Sequence, residues 1–451
     1  MGIYPIPKLL VSMSVPIMVS MLVQALYNIV DSIFVAQISE EQLELTAVSV
    51  AFPIQNLIIA FASGIGVGVT ALISRSLGEK KADEAGKAAV QGILIQTVCY
   101  AIFLIIGLFF VRPFFESQTD NPVIIEYGVQ YLSICCVLSF GVFIQITFEK
   151  FLQSTGRTVY SMITQLIGAI ANIVLDPILI FGWFGMPRMG IRGAAIATVI
   201  GQMIGAAFGI VFHFMKNHEI KISLRDFRPH PKSLLHILTV GIPSVAMMSI
   251  GSVMTYLLNK ILFTLEAIGE AATTILGVYF KLQSFILMPC FGLNNGMLPI
   301  VAFNYGAKNK KRITQTIKLA VIIAIGLMAV GLLIFQFMPN TLLSLFNINE
   351  SMTELGCIAL RIISLSFVFA AFNIVMTGVF QAFGNGVFSL LISFIRQIIV
   401  LIPAAYIFSK IATVNEIWFS FPIAEFAAFI LCVAFYIYLY KKKIKPLEKF
   451  S

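Results

Sequence analysis

Two acidic residues stand inside otherwise apolar stretches of this chain, Asp31 and Asp176. An ionisable group inside a bilayer costs several kcal/mol or more, so each is a functional candidate by default. Their neighbours fit an ion site. Gln24, Tyr27, Asn28 and Asp31 fall at i, i+3, i+4 and i+7, which makes one polar face of a helix. Asn172 precedes Asp176 by one helical turn, and Pro177 removes a backbone donor just beyond it, where a carbonyl is freed to serve a ligand. Two carboxyls held close in low dielectric cannot both ionise cheaply. The pair can therefore hold a proton, or be neutralised by Na⁺.

The elements that carry these residues are membrane helices. Hydrophobic residues make up 59% of the 451, charged residues 11%, and the mean hydropathy is +0.95. A spanning helix needs about 20 mostly apolar residues. Twelve such stretches occur, at roughly 9–36, 45–74, 88–111, 122–150, 158–183, 191–216, 234–262, 272–302, 314–338, 352–382, 387–410 and 417–440. The apolar runs are too long for the strands of a β-barrel. The expected fold is an all-α polytopic membrane protein with twelve transmembrane helices in two pseudo-symmetric six-helix bundles. An N-lobe covers 1–218, a cytoplasmic linker 219–233, and a C-lobe with a basic tail 234–451. The linker reads as a solvated tether. The histidines around it (His213, His218, His230, His236) lack the spacing with carboxylates that a metal site needs. The six cysteines fall within the helices and read as packing residues.

The net charge of +9 is sorted by side. With the N-terminus inside, 21 of the 30 Lys and Arg fall on inner segments and four on outer loops. That bias predicts a multi-pass protein of the cell membrane with both termini cytoplasmic. The basic surface reads as facing lipid headgroups, not nucleic acid. No nucleotide-binding loop, Rossmann fingerprint or catalytic triad occurs, so the chain is not expected to be an enzyme or to hydrolyse ATP. An ion gradient or downhill movement is left as the energy source, and no cofactor is expected.

The sequence repeats at a spacing near 228. Gly64, Gly66, Gly68 and Gly78 have counterparts at Gly292, Asn294, Gly296 and Gly306, and Gln153, Gly156 and Ser161 at Gln381, Gly384 and Ser389. A half-length repeat in an apolar chain points to a transporter of two related bundles. Gly78 and Gly306, each followed by a basic run, read as helix C-caps. The polar face of the first helix maps onto Ser252, Thr255, Tyr256 and Asn259, and Asp176 onto Ala404, so only the first half keeps the acid pair. Gln24, Tyr27, Asn28, Tyr256, Asn259 and Lys281 are candidate cavity residues. Lys260 and Lys281 are also explained by snorkelling or by pairing with Glu266 or Glu270. Arg396 and Glu425 could pair across an offset of roughly 9 Å in depth. Glu149-Lys150, near the inner end of the fourth stretch, reads as interfacial.

Tyr27-Asn28-Ile29-Val30-Asp31, Asn172-Ile173-Val174-Leu175-Asp176-Pro177, Gly193-Ala194-Ala195-Ile196-Ala197-Thr198 and Asn304-Tyr305-Gly306-Ala307 together resemble the multidrug and toxic compound extrusion (MATE) family, in its DinF/MepA-like branch. The resemblance covers essentially the whole chain. It implies paired six-helix bundles around a cavity open alternately to each side. It implies secondary active export of organic, often cationic, drug-like compounds against entry of H⁺ or Na⁺. No soluble interface segment argues for an obligate partner, so a monomer is expected. The resemblance carries the family's cation site onto Asp31, Asn172, Asp176 and Thr198, with Tyr131 as a neighbour. Some branches place essential acids in helices 7 and 10; here helix 7 offers Asn259 and Lys260. The alternative is a lipid-linked oligosaccharide flippase of the same superfamily. Such proteins carry several basic residues in the cavity, and here Lys260, Lys281 and Arg396 are few and scattered.

Overall fold

A computed structural model describes residues 1–39, 43–223, 227–265, 268–346, 350–411 and 414–450, with side chains for all of these but 270, 350, 351 and 448–450. Its helices are α1 (Ile6–Ala36), α2 (Leu43–Gly78), α3 (Ala82–Glu116), α4 (Pro122–Val137 and Phe140–Ser154), α5 (Thr158–Phe181) and α6 (Ile191–Lys216) in the first half. The second half has α7 (Pro231–Leu262), α8 (Gly269–Gly306), α9 (Lys310–Phe337), α10 (Glu350–Ser364 and Phe367–Ala382), α11 (Gly386–Ile411) and α12 (Val414–Leu447). Ten are single helices long and apolar enough to span, and the bent pairs α4 and α10 bring the number to 12. The bends, 44° in α4 and 48° in α10, fall at the repeated Leu138-Ser139-Phe140 and Leu365-Ser366-Phe367.

The repeat is legible in the backbone as well. Lys80 and Lys308 both adopt a left-handed conformation, at φ 60° and 56°. In each, the chain closes a turn back onto the helix end: Lys81 N donates to Ser76 O at 2.9 Å, and Asn309 N to Asn304 O at 2.9 Å. The expectation that Gly78 and Gly306 cap these helices is therefore corrected. They end the helices, but the left-handed position falls two residues later, on a lysine that gains nothing from lacking freedom there.

The chain forms two compact units, Val19–Val245 and Met1–Met18 with Ala246–Ser451. These are not the two sequence halves, because α1 and α7 each divide just after a proline, Pro16 and Pro243. In the first unit, the start of α7 lies on α2: a Cβ on Gly64 would come within 2.7 Å of the Val245 backbone. In the second, the start of α1 lies on α8: a Cβ on Gly292 or Gly296 would meet the backbone of Met18 or Ser14 at 2.8 Å. The repeated glycines thus let two backbones approach, as small residues do in membrane bundles.

Among its described residues, the 219–233 segment is mostly exposed but is fastened to the bundle at two points, more than a free tether would be. Gln91 of α3 donates to Arg228 O at 2.9 Å and accepts from His230 N at 3.1 Å, and Arg157 pairs with Glu219 at 2.9 Å. Just before the segment, His213 is buried against the Phe148 and Phe151 rings. The backbone of a linker still needs partners, and here the Gln91 side chain, inside α3, serves both Arg228 O and His230 N.

Candidate functional site

In the unit Val19–Val245, α1, α4, α5 and α6 bring five polar side chains together. Asp176 is fully buried and Asn172 is 3% exposed. Asn172 Nδ2 donates to Asp176 Oδ1 at 3.3 Å and lies 3.4 Å from Thr198 Oγ1. Thr198 reaches across from α6 because α5 and α6 are in close contact: a Cβ on Gly201 would stand 2.7 Å from Gly168 O and 3.1 Å from Asn172 Cβ. Asp31 enters from α1 and faces Asp176 within hydrogen-bonding reach of its carboxyl. Tyr131, 2% exposed on α4, lies within electrostatic reach of both acids, and its hydroxyl accepts from Gln55 Nε2 of α2 at 3.0 Å.

Three oxygens of this group, Asp31 Oδ1, Asp176 Oδ2 and Asn172 Oδ1, are buried without a hydrogen-bond partner. Unpartnered buried oxygens are costly, and two carboxyls side by side repel unless a positive charge lies between them. Pro177 also leaves the Ile173 carbonyl without its helical donor. The donor set is all oxygen, which suits H⁺ or a hard cation such as Na⁺ and does not suit a soft transition metal.

The chain's similarity to known proteins can be set against this geometry. Residues 16–178 and 243–407 each match the MatE family model. The chain belongs to the MATE family. It is 27% identical to the multidrug export protein MepA of Staphylococcus haemolyticus over 93% of this chain and 90% of that protein. MepA of Staphylococcus aureus strain MRSA252 is 27% identical over 93% and 91%. Among solved structures, an outward-facing multidrug resistance MATE transporter of the MOP superfamily matches with a TM-score of 0.90, 26% identity and coverage of 99% and 97%. A MOP superfamily transporter from Pyrococcus furiosus, described as having a reversed binding-pocket polarity, matches equally well at 0.90 and 26%. The chain is thus an all-helical, multi-pass membrane transporter and not an enzyme, and its family works from ion gradients.

Around the acid group, the candidate cavity residues divide. Gln24 accepts from Gln165 Nε2 of α5 at 3.0 Å and hydrogen-bonds the Tyr27 hydroxyl, whereas the Asn28 side chain is exposed. Tyr256, Asn259 and Lys281 belong to the other unit. Tyr256 is 66% exposed, Asn259 half-buried, and Lys281 stands 5.9 Å over the Phe346 ring. Glu266 and the Glu270 side chain lie outside the described residues.

One possibility is realised and one expectation changes. Arg396 and Glu425 do pair, at 2.6 Å, and Asn373 Nδ2 donates to the other Glu425 oxygen at 2.7 Å. The depth offset counted residues on straight helices and ignored the length of the arginine side chain. The wide turn Ile395–Leu401 in α11 also shifts Arg396 away from a straight-helix position. Glu149 is not interfacial. It is 7% exposed in the bundle, where its Oε1 accepts from Gln145 Nε2 at 3.0 Å and Thr164 Oγ1 at 3.5 Å. Gln55 was not singled out from sequence, although a lone amide in the apolar run of α2 is the signal that would have found it.

Proposed function

We propose that this chain is a multidrug efflux antiporter that exports organic, often cationic, compounds in exchange for H⁺ or Na⁺, coupled through Asp31 and Asp176 of the N-lobe. The observation that carries the reading is the cluster of three unpartnered buried oxygens on Asp31, Asp176 and Asn172. A bound H⁺ or Na⁺ relieves their repulsion. Its departure favours an arrangement in which α1 withdraws Asp31 from Asp176. A ligand shifts such an equilibrium only by its differential affinity for the two arrangements, and a contact between helices provides one. Asn172, Thr198 and Tyr131 would hold the ion or its proton in place. Gln24, Tyr27 and Asn28 of α1 are candidate substrate residues of this unit, and Tyr256, Asn259 and Lys281 are candidates within the other unit.

The multidrug substrate class rests on the similarity to MepA exporters. The orientation with both termini in the cytoplasm rests on the sorting of Lys and Arg. A monomer in the cell membrane is sufficient, since all members of the acid group come from one chain. A flippase for pyrophosphate-linked lipids gains no support: Arg396 is neutralised by Glu425, and Lys260 and Lys281 are exposed.

The test is transport of a fluorescent organic cation by reconstituted protein, first with a proton gradient and then with a Na⁺ gradient. Asp31→Asn and Asp176→Asn should each abolish gradient-driven movement in a folded protein. Normal movement by both would overturn the reading.

A further inference from the structure

We propose that the second unit holds a latent site for a monovalent cation, made by Glu425 and Asn373, and that the Arg396 guanidinium is its resident occupant. The site does not depend on the acid-pair reading above. Its consequence does: with the cation tethered here, only the Asp31–Asp176 group has an ion to exchange.

The two units build one arrangement on different helices. In the first, Asn172 Nδ2 donates to Asp176 Oδ1 at 3.3 Å, and Asn172 Oδ1 is buried without a partner. In the second, Asn373 Nδ2 of α10 donates to Glu425 Oε2 of α12 at 2.7 Å and to the Glu425 carbonyl at 3.0 Å. Asn373 is 2% exposed, and its Oδ1 is again buried without a partner. Each is a carboxyl fixed by an amide, with the amide oxygen left over. The neighbour differs. Asp31 stands beside the first carboxyl, whereas Arg396 Nη1 of α11 donates to Glu425 Oε1 at 2.6 Å.

The guanidinium fits as an occupant of this site more than as part of its frame. An arginine that ties two elements together commonly makes a two-bond fork with its carboxylate. Arg396 gives Glu425 one bond, and its Nε is buried without a partner. Nor does the bundle require a charge at this place. At the repeat spacing of 228, Arg396 stands where the first half has Gly168, and there α5 and α6 close with no side chain between them.

Without the guanidinium, the two Glu425 oxygens and Asn373 Oδ1 remain. Carboxylate and amide oxygens suit a hard cation such as Na⁺, and one carboxylate balances one charge. The Arg396 and Glu425 side chains are 25% and 15% exposed, so the pair is not sealed inside the bundle. Tyr279 of α8, whose ring packs on Phe421 one turn before Glu425, and Cys432 of α12 are the other titratable groups near the pair. Neither can supply a positive charge.

The alternative is a plain ion pair whose one task is to hold α11 on α12. Losing the arginine would then leave a carboxyl that takes up a proton and no metal ion. Full-length purified protein would be assayed by equilibrium binding of radioactive Na⁺ at about pH 8, where an ordinary carboxylate is ionised. About 100 mM Na⁺ all but fills a site with a Kd of about 1 mM. Arg396→Ala should bind one more Na⁺ per chain than the parent. Guanidinium chloride should displace that ion, and tetraethylammonium, which is larger and has no N–H, should not. Arg396→Ala with Glu425→Gln should bind as the parent does. Arg396→Met keeps the packing of the arginine stem and should gain the same ion, so the test survives an alanine variant that fails to fold.

Parental Na⁺ binding by the Arg396 variants would overturn the inference. So would an added ion that persists after Glu425→Gln. The added ion is counted against the parent, so the result stands whichever ion the Asp31–Asp176 group takes. Transport by Asp31→Asn judges that group separately.

Discussion

Replacing Asp176 by asparagine removes one carboxyl from a fully buried contact and leaves the size of the side chain unchanged. Asn172 and Thr198 can keep their places, and Asp31 gains an amide neighbour in place of a carboxyl. We therefore expect the fold to tolerate Asp176→Asn within about 2 kcal/mol, the ordinary range for a single substitution. The functional effect should be much larger. One pH unit is worth about 1.4 kcal/mol per proton, so a gradient of about two units supplies about 2.7 kcal/mol. For a one-for-one exchange of a monovalent organic cation against a proton, that sustains a substrate ratio near ~100. With no proton exchanged between Asp31 and its partner, the ratio should fall to about 1 whatever the gradient. The assay is steady-state accumulation of rhodamine 6G in proteoliposomes at a series of imposed pH differences. The slope of log ratio against pH difference should be near one for the parent and near zero for the variant. A variant that keeps the parental slope would refute the assignment of Asp176 to coupling. A flat slope in the parent too, with a rising response to Na⁺, would leave the site in place and reassign its ion.

Gly201→Val should part α5 from α6, because even its first carbon would stand 2.7 Å from Gly168 O; we expect a loss of about 1–3 kcal/mol in thermal stability and of driven transport. Arg396→Met alone leaves the half-buried Glu425 without its cation, and should destabilise the protein by about 1–3 kcal/mol, while Arg396→Met with Glu425→Gln should recover most of it in a thermal melt. Lys80→Gly relieves a left-handed lysine at φ 60° and should raise stability by about 1 kcal/mol without altering transport. Loss of stability in that variant would show that the lysine side chain makes a compensating contact.

The helices and the acid pair were legible because both follow from local rules. Apolar length fixes the spans, and spacings of three, four and seven place Gln24, Tyr27 and Asp31 on one face. Asp176 with Asn172 one turn earlier is the same kind of signal. What escaped depended on how helices bend and reach. Glu149 lies near the end of an apolar run, so counting residues put it at the interface. The 44° bend of α4 and the extension of its second part to Ser154 leave it inside. The pairing of Arg396 with Glu425 was foreseen as possible, and only its reach escaped, because a long side chain covers several ångströms of mismatch. Thr198 and Tyr131 came only from the family resemblance. Nothing in their own neighbourhoods marks them, since their role depends on α5–α6 contact and on the partnership with Gln55 of α2.

The glycines of α2 have a consequence for how the protein is made. Gly64 lies under Val245, a residue synthesised about 180 positions later. At 5–20 residues per second, roughly 10–40 s pass between the appearance of the groove and of the helix that fills it. During that interval α2 sits in the membrane with the helix that fills this groove still unmade. The second unit has no such wait, because Ser14 and Met18 already exist when Gly292 and Gly296 emerge. The first-made half should therefore be the one that lingers incomplete and meets the cell's membrane quality control.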